Sequence, residues 1–178
     1  MLTAVGSAPA AGPVPRKASE FVILSPDGKQ TLLTSYRGKS VVLALMFTTC
    51  PHCQKAAQLL SQLQKEYADR GLQVLGATFD PGAKANILQF DRIFATGFLC
   101  GYSTNENVLQ FLQQPASNPP FVPILVFIDR AGMIRAQHVI TGDDGPDSPE
   151  QKFFANLETN VRGEIDKLLK AGPRTSLK

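Results

Sequence analysis

The sequence is sparing with the residues that build covalent scaffolds and metal cages: its 178 residues include three cysteines, two histidines and no tryptophan. Three cysteines cannot staple a chain of this size, and none need to. Apolar residues make up 43% and charged residues 19%, the composition of a soluble globule that buries a core without disulfides or a structural metal. Long apolar runs are missing as well. The stretch Val41 to Phe47 has seven residues, against the ~20 that a helix needs to cross a bilayer, so no transmembrane segment is read in this chain. Neither sign of charge is concentrated. Eighteen basic and fifteen acidic residues give a net charge of +3, with no block of like charge to neutralise a run of phosphates, which argues against nucleic acid as a partner.

What is present fits one domain with short ends. Residues 1–17 (MLTAVGSAPAAGPVPRK) are rich in Ala, Pro and Gly and read as a flexible lead-in. They lack the basic start and long apolar centre of an intact signal peptide. The remnant of a removed signal or lipid anchor and a plain disordered terminus explain them equally well. The folded domain is expected over residues 18–172, with a disordered tail over 173–178. Phe21 to Leu24 and Gln30 to Leu33 flank the turn Ser25-Pro26-Asp27-Gly28 and predict a β-hairpin. Ser40 to Phe47 (SVVLALMF) shows no polar alternation and predicts a strand buried on both faces. TTCPHC follows at once. Ala56, Leu59, Leu60, Leu63 and Tyr67 then recur at helical spacing, so the cysteines stand where a strand becomes a helix.

Gly71 closes that helix, Leu72 to Phe79 predicts a second strand, and Ala83 to Ala95 a second helix with Ile87, Phe90, Ile93 and Phe94 on its apolar side. A short strand over Phe98 to Tyr102 and a short helix over Asn105 to Gln113 come next. Ile124 to Ile128, the turn Asp129 to Gly132, and Met133 to Ile140 form a second hairpin. After an acidic loop, one final helix is expected on the face Phe154, Leu157, Val161, Ile165 and Leu168, ended by Gly172-Pro173.

Cys50-Pro51-His52-Cys53 carries the chemistry. Two cysteines on the first turn of a helix can close a small disulfide ring, and the first thiol faces the unpaired N–H groups and positive end of the helix. That end supplies only ~0.3–1 kcal/mol toward a thiolate, so hydrogen bonds to sulfur and the charge of a protonated His52 are the candidates for the rest. Cys50 begins the turn and is expected to be the nucleophile. Cys53, further in, is expected to resolve the mixed disulfide. Pro51 suits the first helical position, where its missing N–H would be unpaired anyway. A structural disulfide, or half of a zinc site, would use the same pair. Zinc needs four ligands, and only His52, His138 and Cys100 remain to join it.

SVVLALMF, TTCPHCQ and FVPILVFIDRAGMI together resemble the thioredoxin-fold disulfide oxidoreductases of the TlpA-like and AhpC/TSA (redoxin) group, with a DsbA-like CPHC motif. The likeness runs from Ser19-Glu20-Phe21 to about Ile140. It implies an α/β, thioredoxin-like three-layer fold: a central mixed β-sheet with helices on both faces, an N-terminal β-hairpin and inserted helices. It also implies that Pro123, after Val122, is a cis-proline opposite the cysteine pair, forming a ledge whose backbone pairs with an extended substrate segment. No cofactor is implied, because the electrons reside in the cysteines. Expected partners are the thiols and disulfides of other proteins, a membrane-bound redox protein being one candidate. The expected location is the bacterial periplasm or cell envelope, with the cytoplasm as the alternative.

The chain departs from the group at three places. Thr49 stands where many relatives have tryptophan. Ala44 replaces the buried acid six residues before the first cysteine, and Ala56 replaces the glutamate found three residues after the second in cytochrome-maturation relatives. Pro51-His52 and Val122 resemble the DsbA oxidants instead, which favours an oxidising or isomerising bias. Two other functions use the same residues. A peroxiredoxin-like peroxidase would need Pro and Thr seven and three residues before Cys50, where Leu43 and Phe47 stand. A non-catalytic module could hold copper(I) or a partner through two soft thiolates. Cys100 and His138 are expected to be a small buried hydrophobe and an ordinary strand histidine.

Overall fold

A computed structural model describes residues 12–171. It contains eight strands: β1 (Arg16–Lys17), β2 (Val22–Leu24), β3 (Gln30–Leu32), β4 (Ser40–Met46), β5 (Leu72–Thr78), β6 (Leu99–Tyr102), β7 (Phe121–Ile128) and β8 (Met133–Ile140). Its helices are α1 (Pro51–Tyr67), α2 (Ala83–Phe94), α3 (Asn105–Leu112), α4 (Pro149–Ala155) and α5 (Leu157–Lys170). The strands form one mixed sheet in the order β1-β8-β7-β4-β5-β6-β2-β3. β4, β5 and β6 run parallel, whereas β7 pairs antiparallel with β4 and β8; β1 on β8 forms one edge and the β2–β3 hairpin the other.

β4 is central because every one of its residues is buried. Successive side chains leave a strand on opposite faces, so Val42, Ala44 and Met46 pack with α1, α2 and α5, while Val41, Leu43 and Leu45 pack with α3 and the β2–β3 hairpin. Each fully buried Val or Leu contributes ~1.5–3 kcal/mol relative to exposure. The layers are therefore helices, sheet, then α3 with the hairpin, the three-layer α/β arrangement expected from the resemblance.

Three details differ from the sequence expectations. Residues 1–11 of the expected lead-in and the tail at 173–178 lie outside the described residues, but Arg16 and Lys17 form an edge strand opposite Ile134 and Met133. Composition gave no hint of this, because the anchor is polar. The Arg16 guanidinium donates to Gln137 Oε1 at 2.6 Å and to the Phe111 and Leu112 carbonyls at the end of α3, where positive charge suits the helix dipole. β7 begins at Phe121 rather than Ile124, since Phe121 pairs with Ile140.

The single final helix is in fact two, broken at Asn156 (φ −120°, ψ 47°). Asn160 Nδ2 donates to the Phe153 carbonyl at 3.0 Å and the Lys152 carbonyl at 3.4 Å, satisfying acceptors that the break would leave open. Phe153 is thereby the buried ring, and Phe154 is only half-buried.

α1 is held against the turn that follows α2. The Ser61 hydroxyl donates to the Ala57 carbonyl at 2.9 Å and accepts from Gly97 N–H at 3.3 Å. A Cβ at Gly97 would lie 2.6 Å from the Ser61 carbonyl oxygen, a backbone atom that cannot swing away. Gly97→Ala is expected to lower the unfolding free energy by about 1–3 kcal/mol, read from a urea midpoint. An unchanged midpoint would mean that this contact does not seat the helix.

Candidate functional site

Cys50 is the N-cap residue of α1. Its backbone is extended (φ −82°, ψ 119°), no side chain caps the helix, and its carbonyl accepts the first helical bond from Gln54 N–H at 3.0 Å. Pro51 occupies the start of the first turn, and His52 is exposed beside it. Cys53 has turned inward and is fully buried in the core shared by β4, α1 and α5. Both are free thiols. One helical turn thus separates a half-exposed sulfur from a hidden one. Burial pushes the Cys53 thiol well above its ordinary value. The Phe47 N–H, 3.5 Å from the sulfur, works against that rise, and Cys50 and the charge of Asp80 add to it.

Asp80 enters through strand register. β4 and β5 pair in parallel with a constant offset, Ser40 opposite Leu72 through Met46 opposite Thr78, which leaves Thr48 level with Asp80 two residues beyond both strands. The Asp80 carboxylate accepts from Thr48 N–H and from the Thr48 hydroxyl, each at 2.7 Å. Gln54 Nε2 donates to the Thr48 carbonyl at 3.1 Å from the helix side. The Phe47 and Phe79 rings meet edge to face at 4.7 Å alongside. Sequence reasoning did not single out Asp80. The signal was available in the predicted βαβ unit: once SVVLALM and LQVLGAT are paired residue for residue, Thr48 and Asp80 fall opposite each other.

On the other side, β7 brings Val122-Pro123 to the cysteines. The Val122–Pro123 peptide is cis, and the Val122 carbonyl lies 3.9 Å from Cys50 Sγ. Beside this ledge runs a groove of about 690 Å³. His52, Lys55 and Leu59 of α1 line one side, and Phe154 and Leu157 of α4 and α5 the other. The structure therefore gathers Cys50, Pro51, His52, Cys53, Val122 and Pro123 at one end of the sheet.

Cys100 and His138 lie apart from that end. The Cys100 sulfur sits where a Cβ at Gly76 would be 2.7 Å away, packed on the core, and burial pushes this thiol up. His138 Nδ1 lies 3.0 Å from Glu150 Oε2, and its ring stacks on Phe153 at 3.5 Å, tying α4 to β8. Among the described residues, no three His, Cys, Asp or Glu side chains gather into a metal cage, and no helix is long and apolar enough to cross a membrane.

Known proteins resemble this chain in sequence and in fold. The sequence profile of the AhpC/TSA family matches residues 14–137. Thiol-disulfide oxidoreductase ResA of Geobacillus thermodenitrificans is 27% identical over 125 residues, 70% of this chain and 67% of that protein. Thioredoxin-like protein YneN of Bacillus subtilis is 26% identical over 133 residues, 71% of each. A solved thiol:disulfide interchange protein of the thioredoxin family from Chlorobium tepidum superposes with a TM-score of 0.62 at 23% identity, covering 87% of this chain and 99% of that one. The chain belongs to the AhpC/TSA family and is an oxidoreductase with the thioredoxin fold.

Proposed function

We propose that this chain exchanges electrons with the cysteines of other proteins through Cys50 and Cys53, with an oxidising or isomerising bias. The observation that carries the reading is the asymmetry of the pair: Cys50 is half-exposed at the helix start and 3.9 Å from the Val122 carbonyl, with Cys53 buried directly behind it. In the reducing direction, the Cys50 thiolate attacks one sulfur of a substrate disulfide, the substrate S–S bond breaks, and one substrate thiolate leaves. Cys53 then gives up its proton and attacks Cys50 Sγ. The second substrate thiolate departs and the Cys50–Cys53 disulfide remains. The same steps in reverse oxidise a substrate dithiol.

Val122 offers backbone hydrogen-bonding groups beside the attacking sulfur, suited to an extended segment laid along the ledge. His52, exposed at the mouth of the groove, contributes positive charge near Cys50 when protonated. A stabilised thiolate favours the reduced form and makes the disulfide the better electron acceptor. Peroxidase chemistry is not favoured. The positions that such an enzyme needs as Pro and Thr are Leu43, buried in β4, and Phe47, and the Thr48 hydroxyl is bound to Asp80. The relatives' names as thiol-disulfide oxidoreductases support the reaction class, and we place the protein in the bacterial cell envelope or periplasm, where a membrane-bound redox protein would reset the pair.

Iodoacetamide at neutral pH is expected to label Cys50 about tenfold or more faster than Cys53 in the folded dithiol protein, because Cys53 is buried and its thiol is held up. Peptide mass mapping reads the difference, and equal rates would remove the assigned roles. Equilibration of the metal-free protein with glutathione buffers is expected to give a reversible Cys50–Cys53 couple. A potential toward the ~−120 mV of DsbA supports the oxidising bias, and one near the ~−270 mV of thioredoxin replaces it with a reducing role. Cys53→Ser is expected to accumulate mixed disulfides at Cys50, and Cys50→Ser to abolish exchange. Stoichiometric metal on the purified protein without a reversible couple would instead establish a binding module.

A further inference from the structure

Both places where relatives carry an acid for the resolving thiol hold alanine here, Ala44 in β4 and Ala56 in α1, and both are fully buried. The cysteine pair is nevertheless not without a carboxylate. Asp80, at the end of β5, spends both oxygens on Thr48, two residues before Cys50. Thr48 follows directly on Phe47, whose N–H is directed at Cys53 Sγ and whose carbonyl accepts from Cys50 N–H at 3.4 Å. Three consecutive links therefore run from the end of β5 to the two cysteines: Asp80 to Thr48, Thr48 along the chain to Phe47, and Phe47 to the Cys50 backbone and the Cys53 sulfur. Thr48 is buried and Asp80 only partly exposed, so water screens the carboxylate less than at an open surface.

We propose that Asp80 is a positioning residue for the thiol pair: it pins the Phe47–Thr48 segment that carries Cys50 and grips Cys53, and it sets a negative charge on the Cys53 side of the pair. This rests on the electron exchange proposed above. With both oxygens engaged, the carboxylate works through position and charge rather than as the base that takes the Cys53 proton. Besides burial and the Phe47 N–H, the titratable groups that act on the Cys53 thiol are Cys50, on the same helix turn, and Asp80, just beyond the neighbouring strand. The sign follows. A negative charge disfavours thiolate in the dithiol form and leaves the neutral disulfide nearly untouched, so it makes the dithiol the stronger reductant. Asp80 thereby opposes the helix end and His52, and the potential of the pair is the balance between them.

The test uses the full chain and compares wild type, Asp80→Asn and Asp80→Glu. Asn keeps an oxygen for the Thr48 N–H and removes the charge, and Glu restores the charge. In glutathione buffers, Asp80→Asn is expected to lower the equilibrium constant for disulfide formation by about three- to thirtyfold, the order of effect that one screened carboxylate charge has on a thiolate. The pH midpoint for alkylation of the pair is expected to fall with it. Asp80→Glu is expected to return both quantities most of the way to wild type. A purely structural role would alter the urea midpoint and leave the alkylation midpoint where it was.

Asp80→Asn with both quantities within twofold of wild type would overturn the proposal. Should that variant fail to fold, Thr48→Val carries the test. It deletes one anchor and leaves the charge, and it is expected to speed alkylation of Cys53 in the folded protein at least threefold. Unchanged alkylation would overturn the positioning role. If the wild-type pair never cycles with glutathione, the oxidoreductase reading falls, while the alkylation arm still decides the role of Asp80.

Discussion

Burial of β4 on both faces fixes the geometry on which the site depends. A strand whose seven residues are all buried cannot slide in register, because a shift of one residue would move every side chain to the wrong face. Its end at Met46 is therefore a fixed point, and the four residues that follow must reverse the chain so that α1 can cover the sheet. The reversal puts Cys50 at the open N-terminus of the helix and Cys53 one turn deeper, inside the layer that α1 shares with α2 and α5. Parallel pairing with β5 then delivers Asp80, and antiparallel pairing with β7 delivers Val122. Three segments distant in sequence meet because each is bound to the same strand.

The chemical difference between the cysteines follows first from depth. Both are the same side chain on the same turn, but an ion is costly away from water and a neutral thiol is not. Cys50 keeps access to solvent at the helix end, while Cys53 is enclosed and receives a single N–H, from Phe47. The enclosed thiol is slow to react with anything that must diffuse to it, yet its neighbour is within reach at once. On the proposed function, this ordering lets an encounter with substrate come first and closure of the disulfide second.

The helical and strand periods made most of this legible before any coordinates. SVVLALMF, with no polar alternation, is the central strand, and the helix after it carries its apolar face where the spacing of Ala56, Leu60 and Leu63 put it. The cysteine motif needed only its place between the two. What escaped the sequence has a common cause: it depends on polar side chains acting at long range. The edge strand at Arg16 is held by carbonyls of α3. Asn160 makes the break at Asn156 tolerable by capping α4 from the next helix, and an apolar repeat that runs on across the break gives no sign of it. Asp80 and Thr48 are 32 residues apart, and no local pattern links them. Periodicity reports which face is apolar, whereas such bonds require the register of one element on another.

The break at Asn156 also separates two kinds of wall around Cys50. On one side stand α1 and β7, fixed by the buried sheet and unable to vary without disturbing the cysteines. On the other stands α4, seven residues long, whose attachment to β8 is the stack of Phe153 on His138 and the pairing of His138 with Glu150. Because Phe153 takes the buried place, Phe154 is left facing the groove. On the proposed function, the reacting sulfurs are thus set by the buried sheet and α1, and one wall of the groove that a substrate meets is set by a short helix held through Phe153.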